Sequence, residues 1–336
     1  MSGGFAGESQ GVSRDQFGRT IEYLRISVTD RCNFRCVYCM PLEGLEWLPK
    51  ADILSYEEIA SIVRQLAPLG LRRLRITGGE PTIRPDLEHL VRLLRAVPGI
   101  EDVALSTNGV KLPAMAASLA GAGLDRVNIS ADSLRPDRIA AIARRNLGFE
   151  PVTALRAALA ARLDPVKFNV VVMRGINDDE IADFARLTLD HAVHVRFIEL
   201  MPVGEMAGLT WDHVVPSAEV LDRAAAAIGA LEPSDGPRMG NGPATYHRAA
   251  GAPGTVGVIT PMTHTYCGSC NRVRLTADGR LRTCLYGTHE VNLREPLRAG
   301  EPMAPLFVQA LANKPREHEL LQMRVGGLKA LSQVGG

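Results

Sequence analysis

The chain has 336 residues, a formal charge of +1 and six cysteines. That length supports a core without disulfides, and a near-neutral charge gives no argument for nucleic acid or an anionic membrane as partner. No apolar run approaches a membrane span, and the polar start from Met1 to Gln10 lacks a charged-then-apolar signal, so a cytoplasmic protein with reduced thiols is expected.

From Tyr23 onward, short β-branched or apolar runs alternate with helical patterns, the order of a parallel α/β sheet. Six strands are predicted, at Tyr23 to Val28, Arg72 to Thr77, Asp102 to Thr107, Arg126 to Ser130, Val166 to Met173 and His194 to Leu200. Between them, Ser55-Tyr56-Glu57-Glu58 reads as a capping box opening a helix to about Pro68. Asp86 is placed to cap Leu87 to Ala96, and Gly70, Gly99 and Gly123 mark helix ends. Ala-rich stretches from Leu112 to Ala122 and Val152 to Leu163 complete the crossovers. Six strands with helices between them predict a partial (β/α)6 TIM-like barrel, with its active site at the strand C-termini.

After Pro202 the rhythm changes: a helix is expected at Ser217 to Ile228, then a Pro/Gly-rich linker or loop from Glu232 to Pro243. Short strands at Ala244 to Arg248, Thr255 to Thr260, Arg272 to Thr276 and Arg280 to Cys284 predict a small antiparallel part of a C-terminal α+β module. One or two terminal helices follow Pro302, and the sequence closes on Gly335-Gly336. The expected division is a barrel over 1–202, a connecting helix and loop over 203–243, and a module over 244–336.

The cysteines fall into two groups of three. Cys32, Cys36 and Cys39 follow the first strand in Thr29-Asp30-Arg31-Cys32-Asn33-Phe34-Arg35-Cys36-Val37-Tyr38-Cys39. Three thiolates on a cube of four irons leave one iron open to an exogenous ligand, which suits chemistry rather than electron storage. Zinc with three Cys and one His or water is the alternative. The second strand ends in Thr77-Gly78-Gly79-Glu80-Pro81, where glycines permit close backbone approach to a ligand. The CxxxCxxC spacing with this GGEP segment resembles the radical S-adenosylmethionine (SAM) superfamily. By that resemblance the open iron chelates SAM, and one electron splits it to a 5'-deoxyadenosyl radical.

Four strands each carry a cation in an apolar run: Arg25, Arg75, Lys167 and Arg196. Buried cations need anionic partners, either internal carboxylates such as Glu80, Glu199, Asp30 and Asp132 or a polyanionic ligand such as a triphosphate. The second cysteine group is Cys267, Cys270 and Cys284, with His264 or His289 available for a Cys3His zinc site. Arg272 and Arg274, two apart on a predicted strand, share one face beside it.

Over nearly its whole length the chain resembles the MoaA family, GTP 3',8-cyclase, of molybdenum cofactor biosynthesis. The resemblance rests on Asp15-Gln16-Phe17-Gly18-Arg19, Leu24 to Cys32, Arg75 to Pro81, Gly175-Ile176-Asn177-Asp178, Arg196-Phe197-Ile198-Glu199, the CxxC-NRVRL run and the Gly-Gly tail. It implies two 4Fe-4S clusters, on Cys32, Cys36, Cys39 and on Cys267, Cys270, Cys284. It also implies SAM held near Tyr38, Gly79, Ser130 and Met201. GTP would be bound by Arg25, Arg75, Ser106, Lys167, Arg196, Arg272, Val273 and Arg274, and Arg25, Gly335 and Gly336 would serve catalysis. The implied reaction takes hydrogen from C3' of GTP and closes the sugar radical on C8. A homodimer and hand-over of the product to the next pterin-pathway enzyme are further implied. Ser106, Ala131 and Tyr266 depart from the family pattern without removing a ligand or a cation. The alternatives are a peptide-modifying radical SAM enzyme with an auxiliary cluster and a zinc-stabilised nucleotide-binding regulator.

Overall fold

The computed structural model describes residues 13–41, 43–201, 208–236, 242–318 and 333. Among them, six parallel strands pair in sequence order: β1 (Tyr23–Ser27), β2 (Arg73–Thr77), β3 (Asp102–Thr107), β4 (Arg126–Ser130), β5 (Val166–Val172) and β6 (Val193–Glu199). Helices α1 (Tyr56–Leu66), α2 (Leu87–Arg95), α3 (Leu112–Gly121), α4 (Pro136–Ala143), α5 (Pro151–Ala160) and α6 (Ile181–Asp190) lie between them in the chain. Alternate strand residues, among them Leu24, Ile76, Leu105, Ile129, Phe168 and Val195, join helix residues such as Ile59, Leu90, Leu119 and Phe184 in one buried apolar core. The other alternate set faces the concave side and is largely polar.

Local signals account for some helix ends and not others. Ser55 accepts the Glu58 N–H while the Glu58 carboxylate accepts the Ser55 N–H, so the expected capping box opens α1. Asp86 stands at the head of α2 in the left-handed region, at φ 57°, and makes no side-chain cap; a capping residue ordinarily has extended backbone.

After β6 the strands are antiparallel only in part. The chain continues through α7 (Ser217–Ile228), β7 (Leu231–Ser234), β8 (Thr245–Ala249), β9 (Thr255–Ile259), β10 (Arg272–Leu275), β11 (Arg280–Arg282), β12 (Glu290–Asn292), α8 (Arg294–Arg298) and α9 (Ala304–Ala312). Antiparallel pairing does join β7 to β8 and β9, and β10 to β11 and β12. However, β9 pairs in parallel with β6, and β10 pairs in parallel with β1. The late strands therefore extend both edges of the first sheet, with residues 260–271 joining them. The first residues of the expected loop, Glu232, Pro233 and Ser234, belong to the edge strand β7, where the missing N–H of Pro233 is tolerated.

Parallel strands sit about 4.8 Å apart, so a flat sheet would spread the eight strands from β10 to β9 over roughly 34 Å. Instead, residues of β1 to β6, β9 and β10 line one cavity, so the sheet is curled. Below that cavity Arg126 donates from Nε and Nη2 to Asp102, at 2.7 and 2.5 Å, with both side chains almost fully buried. We predict that Asp102→Ala, which strands the Arg126 charge, lowers unfolding free energy by about 3–5 kcal/mol. The paired change Asp102→Leu with Arg126→Met is expected to cost much less; urea denaturation of both proteins checks the difference.

Candidate active site

Parallel register sets the concave face in layers. Arg25 lies level with Arg75 on one side and Arg274 on the other, and Asn169 lies level with Arg196. Because paired residues in a parallel sheet point the same way, these side chains converge on a cavity of about 260 Å³. Of the residues singled out from sequence, Arg25, Tyr38, Arg75, Ser106, Ser130, Arg196, Met201, Arg272, Arg274, Cys267, Cys270 and Cys284 line it. Lys167 is on the same face one layer deeper, level with Asn128 and His194. Val273 points the other way, into the apolar core, so only its main chain runs beside the two arginines. Gly335 and Gly336 lie outside the described residues.

The carboxylates offered as partners for the strand cations are engaged elsewhere. Glu80 accepts hydrogen bonds from Thr82, Thr107 and the Asn108 N–H. Glu199 accepts from Ser217, Met262 and Thr263, Asp132 from Tyr38 and Val171, and Asp30 from the Leu48 N–H. The positive charge in the cavity is correspondingly strained. Burial, with Arg196, Arg126 and Arg75 adding to it, pushes the Lys167 ammonium down to about 5. Burial brings Arg75 and Arg274 down to about 10, with Arg272 adding for both. Buried Nε atoms of Arg75 and Arg196 have no hydrogen-bond partner among the described residues. Orphaned donors on a buried cationic surface fit an anionic occupant.

Several residues of this surface escaped the sequence reading. The Tyr23 ring lies 5.4 Å from the Arg75 guanidinium, and Asn128 and Asn169 accept from Arg196 Nη2 at 2.8 and 2.5 Å. Period-two alternation carried the signal, since Asn128 stands two before Ser130 and Asn169 two after Lys167.

The first cysteine loop leaves β1 and is held by its neighbours. Gly79 N–H donates to Thr29 O at 2.7 Å, Glu80 N–H to Arg31 O at 2.8 Å, and the Arg35 and Val37 N–H groups to carbonyls at the end of α4. A Cβ on Gly79 would stand 2.2 Å from Arg31 O, so backbone approach to the cysteine loop demands glycine there. Phe34 N–H donates to Cys32 Sγ at 3.3 Å. Burial raises the Cys32 thiol to about 11 and also pushes the Cys36 thiol up, well above the ordinary thiol range. Coordination by a metal removes such a proton outright. Cys36 borders a smaller cavity with Tyr38, Ser130 and Asp132, which opens onto residues shared with the large one. There the Tyr38 hydroxyl donates to Asp132 at 2.7 Å, and burial lifts the Asp132 carboxyl to about 6.

Across the cavity, the second loop makes a short turn at Cys267–Ser269, and Cys284 follows β11. Burial opposes ionisation of Cys270, but Lys314 and Arg272 outweigh it and bring the thiol down to about 7. Arg19 Nη1 donates to Cys267 O at 2.7 Å. No cysteine of either triad forms a disulfide, and each triad has hydrogen-bond donors on sulfur or on its loop, which fits a 4Fe-4S cluster whose ligands reach different irons. A mononuclear zinc site needs donors converging on one point, and no three Cys, His, Asp or Glu side chains do so among the described residues.

A curled parallel sheet with a cysteine loop after its first strand defines a radical SAM half-barrel. The Radical SAM superfamily matches residues 26–188, and Molybdenum Cofactor Synthesis C matches residues 193–320. Streptococcus suis SuiB, solved bound to S-adenosylmethionine, shares the fold at TM-score 0.62 and 13% identity over 91% of this chain and 72% of its own. The anSMEcpe structure with bound AdoMet gives 0.55 and 16%, over 89% and 82%. GTP 3',8-cyclase of Pelotomaculum thermopropionicum is 48% identical over 96% of this chain and 100% of its own length. The enzyme of Heliobacterium modesticaldum is 49% identical over 96% and 99%, and that of Listeria monocytogenes 45% over 96% and 99%. This chain belongs to the GTP 3',8-cyclase family.

Gly79→Ala should push the backbone of residues 30–31 aside. Iron retained per chain is expected to fall as the first triad loses its share, while far-UV circular dichroism is unchanged. Full iron retention would mean that the loop gives way without cost.

Proposed function

We propose that this protein is a radical SAM lyase, the GTP 3',8-cyclase of molybdenum cofactor biosynthesis. It would convert GTP and SAM to (8S)-3',8-cyclo-7,8-dihydroguanosine 5'-triphosphate, 5'-deoxyadenosine and methionine. The observation that carries the reading is one cavity bordered by Tyr38 of the first cysteine loop, by all three thiols of the second triad and by Arg25, Arg75, Arg196, Arg272 and Arg274. The names borne by the relatives point the same way.

Cys32, Cys36 and Cys39 would hold the SAM cluster, and Cys267, Cys270 and Cys284 a second 4Fe-4S cluster. When bound, the first cluster with SAM supplies one-electron cleavage chemistry that yields a primary carbon radical able to take hydrogen from a sugar carbon. The chain's own contribution is binding and orientation. Arg25, Arg75, Lys167, Arg196 and Arg274 neutralise the triphosphate in a site largely removed from water, where guanidinium forks fix its direction. Asn128 and Asn169 hold Arg196 in place for that task. By the same reading Gly79, Ser130 and Met201 would border SAM, and Ser106 would offer a hydroxyl to the nucleotide. A division at 1–202, 203–243 and 244–336, a cytoplasmic location, a homodimer and hand-over to the next pterin-pathway enzyme belong to the same reading. A peptide substrate would leave this many buried cations without a use.

An anaerobic assay with reconstituted protein, SAM, GTP and a strong reductant, read by mass spectrometry, tests the proposal. Comparable amounts of 5'-deoxyadenosine and cyclised GTP, formed only with GTP present, are expected; 5'-deoxyadenosine with GTP unchanged would refute the substrate. Arg274→Ala should weaken GTP binding about 10- to 100-fold, the loss of one charge-assisted hydrogen bond, with iron content unaltered.

Charge at Lys167 gives a pH signature. Its folded pKa of about 5 lies below the ordinary 10.5, so between those values the unfolded chain holds a proton that the folded, ligand-free protein lacks. This residue therefore costs stability that grows as pH falls from about 10 towards 5. A bound triphosphate favours the ammonium and reverses the shift. GTP binding at pH 7.5 should take up about one proton, and Lys167→Met should abolish the uptake. Calorimetry in buffers of different ionisation enthalpy reads it directly.

A further inference from the structure

Lys314 follows α9 and is only 2% exposed, which is rare for lysine unless its ammonium is paired. Its Nζ donates to Thr283 O at 2.6 Å and to Arg272 O at 2.9 Å, and lies 3.5 Å from Cys270 Sγ. An ammonium has three N–H donors, and these three partners use all of them. The partners come from both chain segments that carry the second triad: Cys270 and Arg272 on one, and Thr283, next to Cys284, on the other. One side chain therefore ties the two segments together behind the thiols.

The placement of Lys314 is itself fixed from two sides. Its N–H donates to Leu311 O in α9, and its carbonyl accepts from Gln16 Nε2 at 3.2 Å. Arg19 donates to Pro315 O at 2.6 Å and to Arg316 O at 2.9 Å, and the same guanidinium holds Cys267 O. Asp15 orients Arg19 at 2.5 Å, within a turn closed by the Arg14 and Thr20 bridge. The Asp15-Gln16-Phe17-Gly18-Arg19 run, just ahead of β1 in the chain, thus serves as the anchor for this lysine and for the Cys267 loop.

We propose that Lys314 is the positioning residue of the second cysteine triad, fixing Cys270 and supplying positive charge to the cluster that the triad holds. The inference rests on the reading that Cys267, Cys270 and Cys284 hold a 4Fe-4S cluster. Hydrogen bonds to the sulfurs and local net charge set the potential of such a cluster. A nearby cation favours the more negative, reduced form, so removing it lowers the potential.

The test uses the full chain with Cys32, Cys36 and Cys39 all changed to Ala, so that only the second cluster reports. Lys314→Met and Lys314→Arg are compared in that background by iron content, electron paramagnetic resonance and redox titration. The Met variant is expected to keep its cluster with a potential lowered by about 59 mV, a tenfold change for a one-electron couple, while Arg stays near the parent value. Loss of the cluster in Met but not in Arg also supports the assignment, because a cation is then what the triad needs. A Met variant with the parent's potential and spectrum overturns it, as does loss of the cluster in both variants, which makes Lys314 a packing element. If the parent background itself holds no iron, the reading of the second triad fails, and the inference falls with it.

Discussion

Like charges held together inside a curled sheet are the constraint on which the rest of this structure depends. Arg25, Arg75, Arg196 and Arg274 border the cavity, with Lys167 a layer deeper, and burial disfavours the charge on each. A protein seeking only stability would place apolar residues or internal ion pairs there, as it does at Arg126 and Asp102 just below. Strand geometry holds the cations in place because their backbones are locked in register on both sides. The unfavourable field is then a stored preference for an anion, which relieves repulsion and gains directional hydrogen bonds together.

The same sheet brings two distant cysteine groups to one place. The first triad sits on the loop after β1, while the second flanks β10, which is paired with β1. Arg25 and Arg274 are therefore level with one another although most of the chain separates them. A segregated C-terminal module would have left the second triad hinged to the barrel. Parallel pairing of β10 with β1 and of β9 with β6 makes it part of the same wall, so that distances between the triads and the cations are set by backbone hydrogen bonds. Arg19 and Lys314 extend this fixing outward, tying residues 15–19 and 314–316 to the Cys267 loop.

Much was legible in the residues themselves. Alternating apolar runs located β1 to β6 to within a residue or so, because buried parallel strands need continuous apolar character and their crossovers need an amphipathic helix. CxxxCxxC, GGEP and the in-strand cations are local signals, each stating its chemistry by side-chain type and spacing. Asp86 misled because cap formation depends on backbone conformation, which its neighbours decide. The pairing of β9 and β10 with opposite edges of the barrel could not be read, since their alternation is the same whether a strand joins a hairpin or a parallel edge.

The sequence by itself determined the element order, the two thiol triads and the presence of buried cations, since these are properties of residues close together in the chain. Only the tertiary structure decided which groups meet: that Glu80, Glu199 and Asp132 are occupied elsewhere, that Val273 faces the core, and that Asn128, Asn169 and Lys314 take the supporting positions. The reason is physical. Coulomb interactions and hydrogen bonds act over a few ångströms of space, and strand register, set by packing across the whole sheet, determines which residues lie that close.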